Sequence, residues 1–464
     1  MFFEQFYLES LGHASYLVGD EKTGHALVLD PRRDVEIYFE SARRHDMRIS
    51  YAIDTHGHND YLSGISELRA RADIQPLGLD IAGLGYDHRP VRDGEMLELG
   101  DVGFEIMHTP GHTPEHTSLL VYDRTCGDEP TLMLSGGALL VGDLARPDLL
   151  GGAEEAHQAA VTFCHTIQEK ILWALPDHLE VWPTHVSGSL CGGNIGSRLS
   201  TTVGFERKTN SILAAVSSSE EFVEECIRLD NLPAVPPYWR RMRKQNLAGP
   251  PELGVLREPP ALDLEDFSGA AQAGALILDC RAPDTFGAGH IAGALNVGLG
   301  ASFPTWAGTV LPPDTDVLLV LDGPNDLWEA TWQLLRVGYG IPVGWLGGGM
   351  SSWRTAGRAM STLTQMTVHE LLTAVQADEV NVLDVRQPAE WAGAHIEGAT
   401  FITGAELPAR TADVPRDKPL AVICGSGYRS SVAASLLARS GDIPVINVIG
   451  GMSAWNSAGY PATS

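Results

Sequence analysis

The heptapeptide Thr55 to Tyr61, "THGHNDY", sets two imidazoles and a carboxylate at alternating positions, His56, His58 and Asp60, with a tyrosine where a fourth donor would be expected. Three further islands carry the same residue types: "HTPGHTPEHT" with His108, His112 and His116, "VGDLARPD" with Asp143, and "WPTHVSG" with His185. Imidazole nitrogens and carboxylate oxygens together hold first-row divalent ions, so the four islands predict a metal site. His13, His25, His45, His88 and His108, taken singly, read as ordinary histidines.

A second chemistry lies near the C-terminus. In "VICGSGYRSS" an apolar strand runs into Cys424, then a glycine-rich turn opens directly into the helical stretch "VAASLLARS". Backbone N–H groups, a helix N-terminus and Arg429 are thereby aimed at one sulfur, and all three favour thiolate over thiol. The same cradle would stabilise the terminal sulfur of a cysteine persulfide. The other cysteines, at 126, 164, 191, 226 and 280, form no CxxC pair. A disulfide framework or a zinc knuckle is therefore not expected, and single thiols are.

The elements that position these groups follow from length and pattern. The chain has 464 residues, 44% of them hydrophobic and 20% charged. At roughly 150 residues per domain that predicts about three globular domains. A formal charge of −27 speaks against a nucleic-acid or anionic-membrane partner, both of which need a basic surface. No apolar run is long enough for a membrane span and the N-terminus lacks the pattern of a signal peptide, so a cytoplasmic protein is expected. The proline-rich segment Leu232 to Gly254 reads as a linker, and its basic cluster "RRMRK", Arg240 to Lys244, as a solvated part of it.

Before that linker, short strand-like runs such as "HALVLD", "YAIDTHGH", "FEIMHTP" and "VWPTH" end in aspartate or histidine, which places polar groups where the chain leaves a rigid core. After it, one pattern occurs twice. "LILDCRAPDTFGAGHIAGALNV" from Leu276 aligns with "NVLDVRQPAEWAGAHIEGATFI" from Asn381, and "GGMSSWRTAG" from Gly348 with "GGMSAWNSAG" from Gly450. Apolar runs alternate with helical ones in both copies, an α/β pattern with a mostly parallel sheet. The expected domains are 1–248, 249–358 and 359–464.

The four islands, in their order and spacing, resemble the metallo-β-lactamase superfamily over roughly residues 1–230, which implies an αββα sandwich with ligands on loops at one edge of two sheets. In dinuclear hydrolases of that superfamily the first island is HxHxDH; here it ends Asp60-Tyr61. A phenol of pKa near 10 is a poor ligand, so the second metal position is weakened. Around the first remain His56, His112 and Asp143, a two-histidine, one-carboxylate set suited to non-haem Fe(II). Both features resemble the persulfide dioxygenases, which are similar to glyoxalase II in fold. That resemblance implies one Fe(II) per domain, ligated by His56, His112 and Asp143, with a low-molecular-weight thiol persulfide and O2 as substrates and sulfite as product. His58, Asp60 and His185 then fall on positions that orient ligands or order water, or bind metal themselves. Arg146, Tyr61 and Cys191 are candidate substrate contacts, with a plain structural role as the alternative for Arg146 and Cys191. In glutathione-using relatives the last histidine precedes Asp-Tyr, whereas His185 precedes Val186 and Ser187, so the thiol carrier stays open.

The tandem repeats resemble rhodanese domains. A Cys-x4-Arg loop, Cys424 to Arg429, fits a sulfane sulfur, and the similar phosphatase loops are one residue longer. The first copy has Leu321 or Asp322 at the cysteine position, depending on a one-residue gap, and should be catalytically silent; Cys280 follows another strand. The whole chain resembles persulfide dioxygenase–rhodanese fusions, implying sulfide detoxification with thiosulfate as end product and a homo-oligomer, dimer or tetramer. Two alternatives stay open: a glyoxalase-like thioester hydrolase with an attached sulfurtransferase, and a non-enzymatic sulfur carrier.

Overall fold

A computed structural model describes residues 1–228 and 232–464. The chain forms two compact units, Met1–Leu232 with Trp239–Gly254, and Pro233–Tyr238 with Val255–Ser464.

The first unit holds two six-stranded sheets, each with its strands in chain order. One comprises β1 (Phe2–Leu8), β2 (His13–Asp20), β3 (His25–Leu29), β4 (Arg48–Ile53), β5 (Gln75–Leu79) and β6 (Arg89–Val91). The other comprises β7 (Met96–Leu99), β8 (Val102–His108), β9 (Thr117–Asp123), β10 (Leu132–Gly136), β11 (Glu180–Pro183) and β12 (Thr201–Thr202). Side chains alternate between faces with the period of a strand. Leu27 and Leu29 of β3 and Leu119 and Val121 of β9 meet in one core between the sheets. Ala26 and Val28 point the other way, against Tyr38 and Leu68 of helices Glu36–Arg44 and Ile65–Arg71. Leu120 and Met133 pack against Phe163 and Ile167 on the far side of the second sheet. The layers are helix, sheet, sheet, helix.

The segment expected to be a solvated linker departs from that expectation. Trp239–Ala248 is an α-helix of the first unit, with Trp239, Met242 and Asn246 buried. Prolines flank it without entering it, and its basic residues leave one apolar stripe.

In the second unit each copy of the repeat forms a five-stranded sheet. The first has β13 (Ala261–Leu262), β14 (Leu276–Asp279), β15 (Leu295–Asn296), β16 (Val317–Val320) and β17 (Gly344–Leu346), in the order β13-β17-β16-β14-β15. The second has β18 (Thr364–Met366), β19 (Asn381–Asp384), β20 (Thr400–Phe401), β21 (Leu420–Ile423) and β22 (Val445–Val448), in the matching order β18-β22-β21-β19-β20. Every pairing in both is parallel. The central runs "VLLV" and "LAVI" are buried throughout, as strands covered on both faces must be.

The recurring residues explain why the pattern repeats. Arg281 grips Asp279 with Nε at 2.8 Å and Nη2 at 2.6 Å and donates to the Gly289 carbonyl; Arg386 does the same to Asp384 and the Ala394 carbonyl. His290 stacks on Phe286 at 3.8 Å and His395 on Trp391 at 3.7 Å. These residues tie each strand end to the following helix and serve the fold.

Candidate metal centre and sulfur-transfer loop

The histidine islands converge where β4, β8 and β11 end. His56, His112 and His185, all buried, bring one ring nitrogen each within 4.8 Å of the others. Their partners fix which nitrogen faces inward. Thr55 Oγ1 donates to Asp30 at 2.9 Å, so toward His56 it can only accept, and His56 Nδ1–H donates to it at 2.9 Å. His112 Nδ1–H donates to the Arg146 carbonyl at 2.7 Å. His185 Nδ1 lies 3.4 Å from Ser189 Oγ and 3.6 Å from Asp60. The Nε2 of His56 and that of His112 are therefore lone pairs turned into the cluster. The Nε2 atoms of His56 and His185 stand 3.4 Å apart, and that of His112 has no hydrogen-bond partner. Burial pushes all three imidazoles toward their neutral forms, His112 down to about 4. Neutral imidazoles with converging lone pairs fit a divalent cation; two nitrogens about 2.1 Å from one ion at a near-tetrahedral angle are about 3.4 Å apart.

Asp143 does not join this group. Its carboxylate accepts N–H groups from Leu144 at 2.8 Å and Asn194 at 2.6 Å and holds the loop Asp143 to Asn194 together. Among the described residues, His185 is the third group whose ring nitrogen lies within 4.8 Å of those of His56 and His112. The residue that abuts His112 from the end of β10 is Gly137: a Cβ there would lie 3.0 Å from the His112 ring and 3.1 Å from Ala145. His116 uses both nitrogens, one to Thr109 Oγ1 and one accepting the Gly137 N–H, and His108 is bonded to the Pro114 carbonyl.

His58 faces away, toward Asp30. Its Nε2 lies 2.9 Å from Asp30 Oδ1, and although burial works against charge, Asp30 and Asp54 raise it to about 9. Asp30 also accepts the Thr55 N–H at 2.6 Å and the Thr184 hydroxyl, and so ties the loops of His56 and His185 together. It stands at the end of "HALVLD", a strand ending in aspartate, and that was the signal for it. Tyr61 is fully buried, donates to the Asp30 carbonyl at 3.3 Å and packs on His13 and His58, which makes it a wall of the site. Arg146 grips Asp148 with Nε at 2.6 Å and Nη2 at 2.7 Å, and its carbonyl orients His112. Cys191 is buried, its thiol pushed upward chiefly by desolvation, and it groups with Asp60 and His185 within 4.8 Å.

Two supports have no signal in the motifs. Asn246, on the helix Trp239–Ala248, donates to the carbonyls of His58 and Tyr61 at 2.8 Å each and accepts the Ser63 N–H at 2.9 Å. Arg243 pairs with Glu115 at 2.7 Å, and Glu115 accepts the Gly57 N–H at 2.9 Å.

In the second unit Cys424 follows β21, fully buried, and its Sγ accepts the Gly427 N–H at 3.1 Å with Ser430 Oγ at 3.4 Å. Gly427 has φ 109°, a conformation glycine adopts without strain, and the helix Tyr428–Ala438 starts immediately after it. The repeated "GGM" motif braces the loop: N–H groups of Gly450, Met452 and Ser453 donate to the carbonyls of Ser426, Cys424 and Gly425. Gly451 packs directly on the Cys424 carbonyl, and in the first copy Gly349 packs on Leu321. Leu321, not Asp322, is therefore the counterpart of Cys424. Arg429 is fully paired with Glu390, Nη1 at 2.6 Å and Nη2 at 2.7 Å. The first copy also touches this loop's helix. Tyr428 donates to the Gly298 carbonyl at 2.8 Å, and Asn296 accepts the Ser431 hydroxyl at 2.7 Å while its N–H donates to Ser435.

Comparison with known proteins agrees with this division. The rhodanese-like domain family matches residues 263–356 and 367–458. The mitochondrial persulfide dioxygenase ETHE1 of Bos taurus is 29% identical over 225 residues, 47% of this chain and 77% of the bovine protein. The N-terminal half is homologous to the persulfide dioxygenases. The cytoplasmic hydroxyacylglutathione hydrolase of Arabidopsis thaliana is 32% identical over 173 residues, 37% of this chain and 63% of that protein. Among solved structures, a metallo-β-lactamase from Staphylococcus aureus superimposes with TM-score 0.66 at 29% identity, covering 75% of this chain and 98% of its own. The dioxygenase-homologous half thus has the metallo-β-lactamase fold, and two rhodanese-like domains follow it. No helix among the described residues is long and apolar enough to cross a membrane.

Proposed function

We propose that the chain oxidises a low-molecular-weight thiol persulfide with O2 to sulfite at an Fe(II) site in its first half, and passes a second sulfane sulfur through Cys424 to that sulfite, giving thiosulfate. The observation that carries the first step is the cluster of inward lone pairs on neutral, buried imidazoles, including His56 and His112, in a domain homologous to the persulfide dioxygenases. Iron, when bound there, supplies O2 activation and binds the anionic persulfide.

The chain's own residues do the positioning. Thr55 and the Arg146 carbonyl hold His56 and His112 in the tautomer that presents Nε2, and Ser189 Oγ stands 3.4 Å from His185 Nδ1. The balance of the step is RSSH + O2 + H2O → RSH + SO3²⁻ + 2 H⁺. At the second site RSSH gives its outer sulfur to Cys424 and leaves as RSH; sulfite then takes that sulfur and Cys424 returns as a thiol. The Gly427 N–H and the N-terminus of the helix Tyr428–Ala438 face the sulfur that bears charge in both halves of the exchange.

Glyoxalase-like thioester hydrolysis is the second reading, favoured by the Arabidopsis hydrolase's similarity. Against it, the position after Asp60, where the dinuclear hydrolases carry a histidine, is here Tyr61, a buried phenol that donates to the Asp30 carbonyl. An oxygen electrode separates the readings: persulfide-dependent O2 uptake by the iron-loaded protein is expected, and thioester hydrolysis without uptake would establish the other. The expected cytoplasmic, homo-oligomeric state belongs to the same proposal.

A further inference from the structure

One ion pair sets the active copy of the repeat apart from the silent one. We infer that Glu390 is a specificity-determining residue of the sulfur-transfer site: it cancels the charge of Arg429 beside Cys424, keeps the approach to the sulfur neutral, and so disfavours doubly charged anions such as thiosulfate as sulfur donors. The inference rests on the reading of Cys424 as a sulfur-transfer residue.

Arg429 lies against the loop itself. A Cβ on Gly425, the residue after Cys424, would meet Arg429 Nη2 at 2.7 Å and Glu390 Oε1 at 3.6 Å. Glu390 takes both terminal nitrogens of the guanidinium, at 2.6 and 2.7 Å, and is itself fixed by the Gln387 N–H, which donates to its Oε2 at 3.0 Å. Such a bidentate pair is geometrically specific and carries no net charge. Arg386 and Asp384, the other charges at this strand end, are buried and paired with each other. Glu390 and Arg429 are partly exposed beside a sulfur that is fully buried, so the pair faces what approaches the loop. The silent copy shows that the fold does not need this pair. Asp279 with Arg281 and Phe286 with His290 recur as Asp384 with Arg386 and Trp391 with His395. Thr285, however, stands at the position of Glu390, and no lysine or arginine occurs from Leu321 to Leu335, the stretch that answers to the Cys424 loop and its helix. The pair accompanies the thiol.

The consequence is electrostatic. Thiosulfate as donor runs the sulfite exchange in reverse: Cys424–S⁻ + S–SO3²⁻ → Cys424–S–S⁻ + SO3²⁻. The S–S bond of thiosulfate breaks, a new one forms on Cys424, and sulfite leaves with the electron pair. Every charge on a ligand feels the same local potential, so cancelling the guanidinium weakens the attraction of a dianion twice as much, in free energy, as that of a monoanion. Thiosulfate formed by the forward exchange is then not held at the loop. Sulfite, approaching the same neutral mouth, relies on loop N–H groups such as that of Gly427.

The test compares two alkylating agents of like size at Cys424 in the full chain, neutral iodoacetamide and singly charged iodoacetate, with the Cys424 peptide followed by mass spectrometry. Their rate ratio cancels the fraction of thiolate and reports the charge met on approach. Glu390→Gln is expected to raise the iodoacetate-to-iodoacetamide ratio by about threefold and, through the same potential acting on two charges, to lower KM for thiosulfate by about tenfold. Both effects should shrink as KCl is added. Arg429→Gln is expected to move the ratio the other way, which a loss of packing common to both variants would not do, and thermal midpoints show that each variant folds. A Glu390→Gln ratio equal to or below that of wild type, or a change in the same direction in both variants, overturns the inference and leaves sulfur transfer in place. Wild-type Cys424 that takes sulfane sulfur from neither a persulfide nor thiosulfate overturns both.

Discussion

Asn246 donates its side-chain amide to the main-chain carbonyl of His58 at 2.8 Å, across 188 residues of sequence. The same side chain reaches Tyr61 and Ser63, so the metal loop is closed by a helix that lies beyond every histidine island. Asn246→Ala would leave two carbonyls and one N–H buried without partners. Each such orphan costs about 1–3 kcal/mol. A destabilisation of about 2–5 kcal/mol is expected for the first unit's unfolding transition in urea, with metal affinity reduced in step. Asn246→Asp, which can replace only the acceptor half, should recover little of it.

The silent copy of the repeat is expected to support the active one. Asn296, fully buried, joins the ends of β14 to Ser431 and Ser435 on the helix that begins at the Cys424 loop. Asn296→Ala should lower the second unit's stability by about 2–4 kcal/mol, because several buried hydrogen bonds go at once. Tyr428→Phe removes one bond, to Gly298, and should cost about 1 kcal/mol. Both should slow alkylation of Cys424 by iodoacetamide at pH 7 relative to wild type.

Glu390 answers to pH. Burial would raise its carboxyl, but the Arg429 guanidinium outweighs this and holds it below the usual range. A depressed carboxylate contributes stability that is fully present above its unfolded value, about 4.5, and is lost as pH falls through the lower folded value. Wild type should therefore lose thermal midpoint between pH 5 and pH 3 by more than Glu390→Gln does. Equal losses would show that the pair contributes no linkage.

What could be read from the sequence was what lies close together in it. The Cys424 loop is one strand, one turn and one helix in succession, with the Gly427 N–H on the sulfur, while Arg429, read from the sequence as aimed at that sulfur, is paired with Glu390. The four islands sit at strand ends, and chain-order sheets bring those ends together. Which members of the islands meet was not legible, because that depends on distances between loops: the sequence does not show that a His185 nitrogen comes within 4.8 Å of those of His56 and His112. The helix Trp239–Ala248 was hidden by flanking prolines and a basic run, whose buried stripe of Trp239, Met242 and Asn246 only packing reveals. The one-residue gap at Leu321 needed the contact of Gly349 to close it.

Oxygen stoichiometry tests the coupled reaction most directly. With both sites working, two persulfides and one O2 give one thiosulfate: 2 RSSH + O2 + H2O → 2 RSH + S2O3²⁻ + 2 H⁺. Cys424→Ser should keep the O2 uptake, consume one persulfide per O2 and release sulfite. No persulfide-dependent uptake by the iron-loaded protein, or an unchanged two-to-one ratio with thiosulfate as product in Cys424→Ser, would contradict the account.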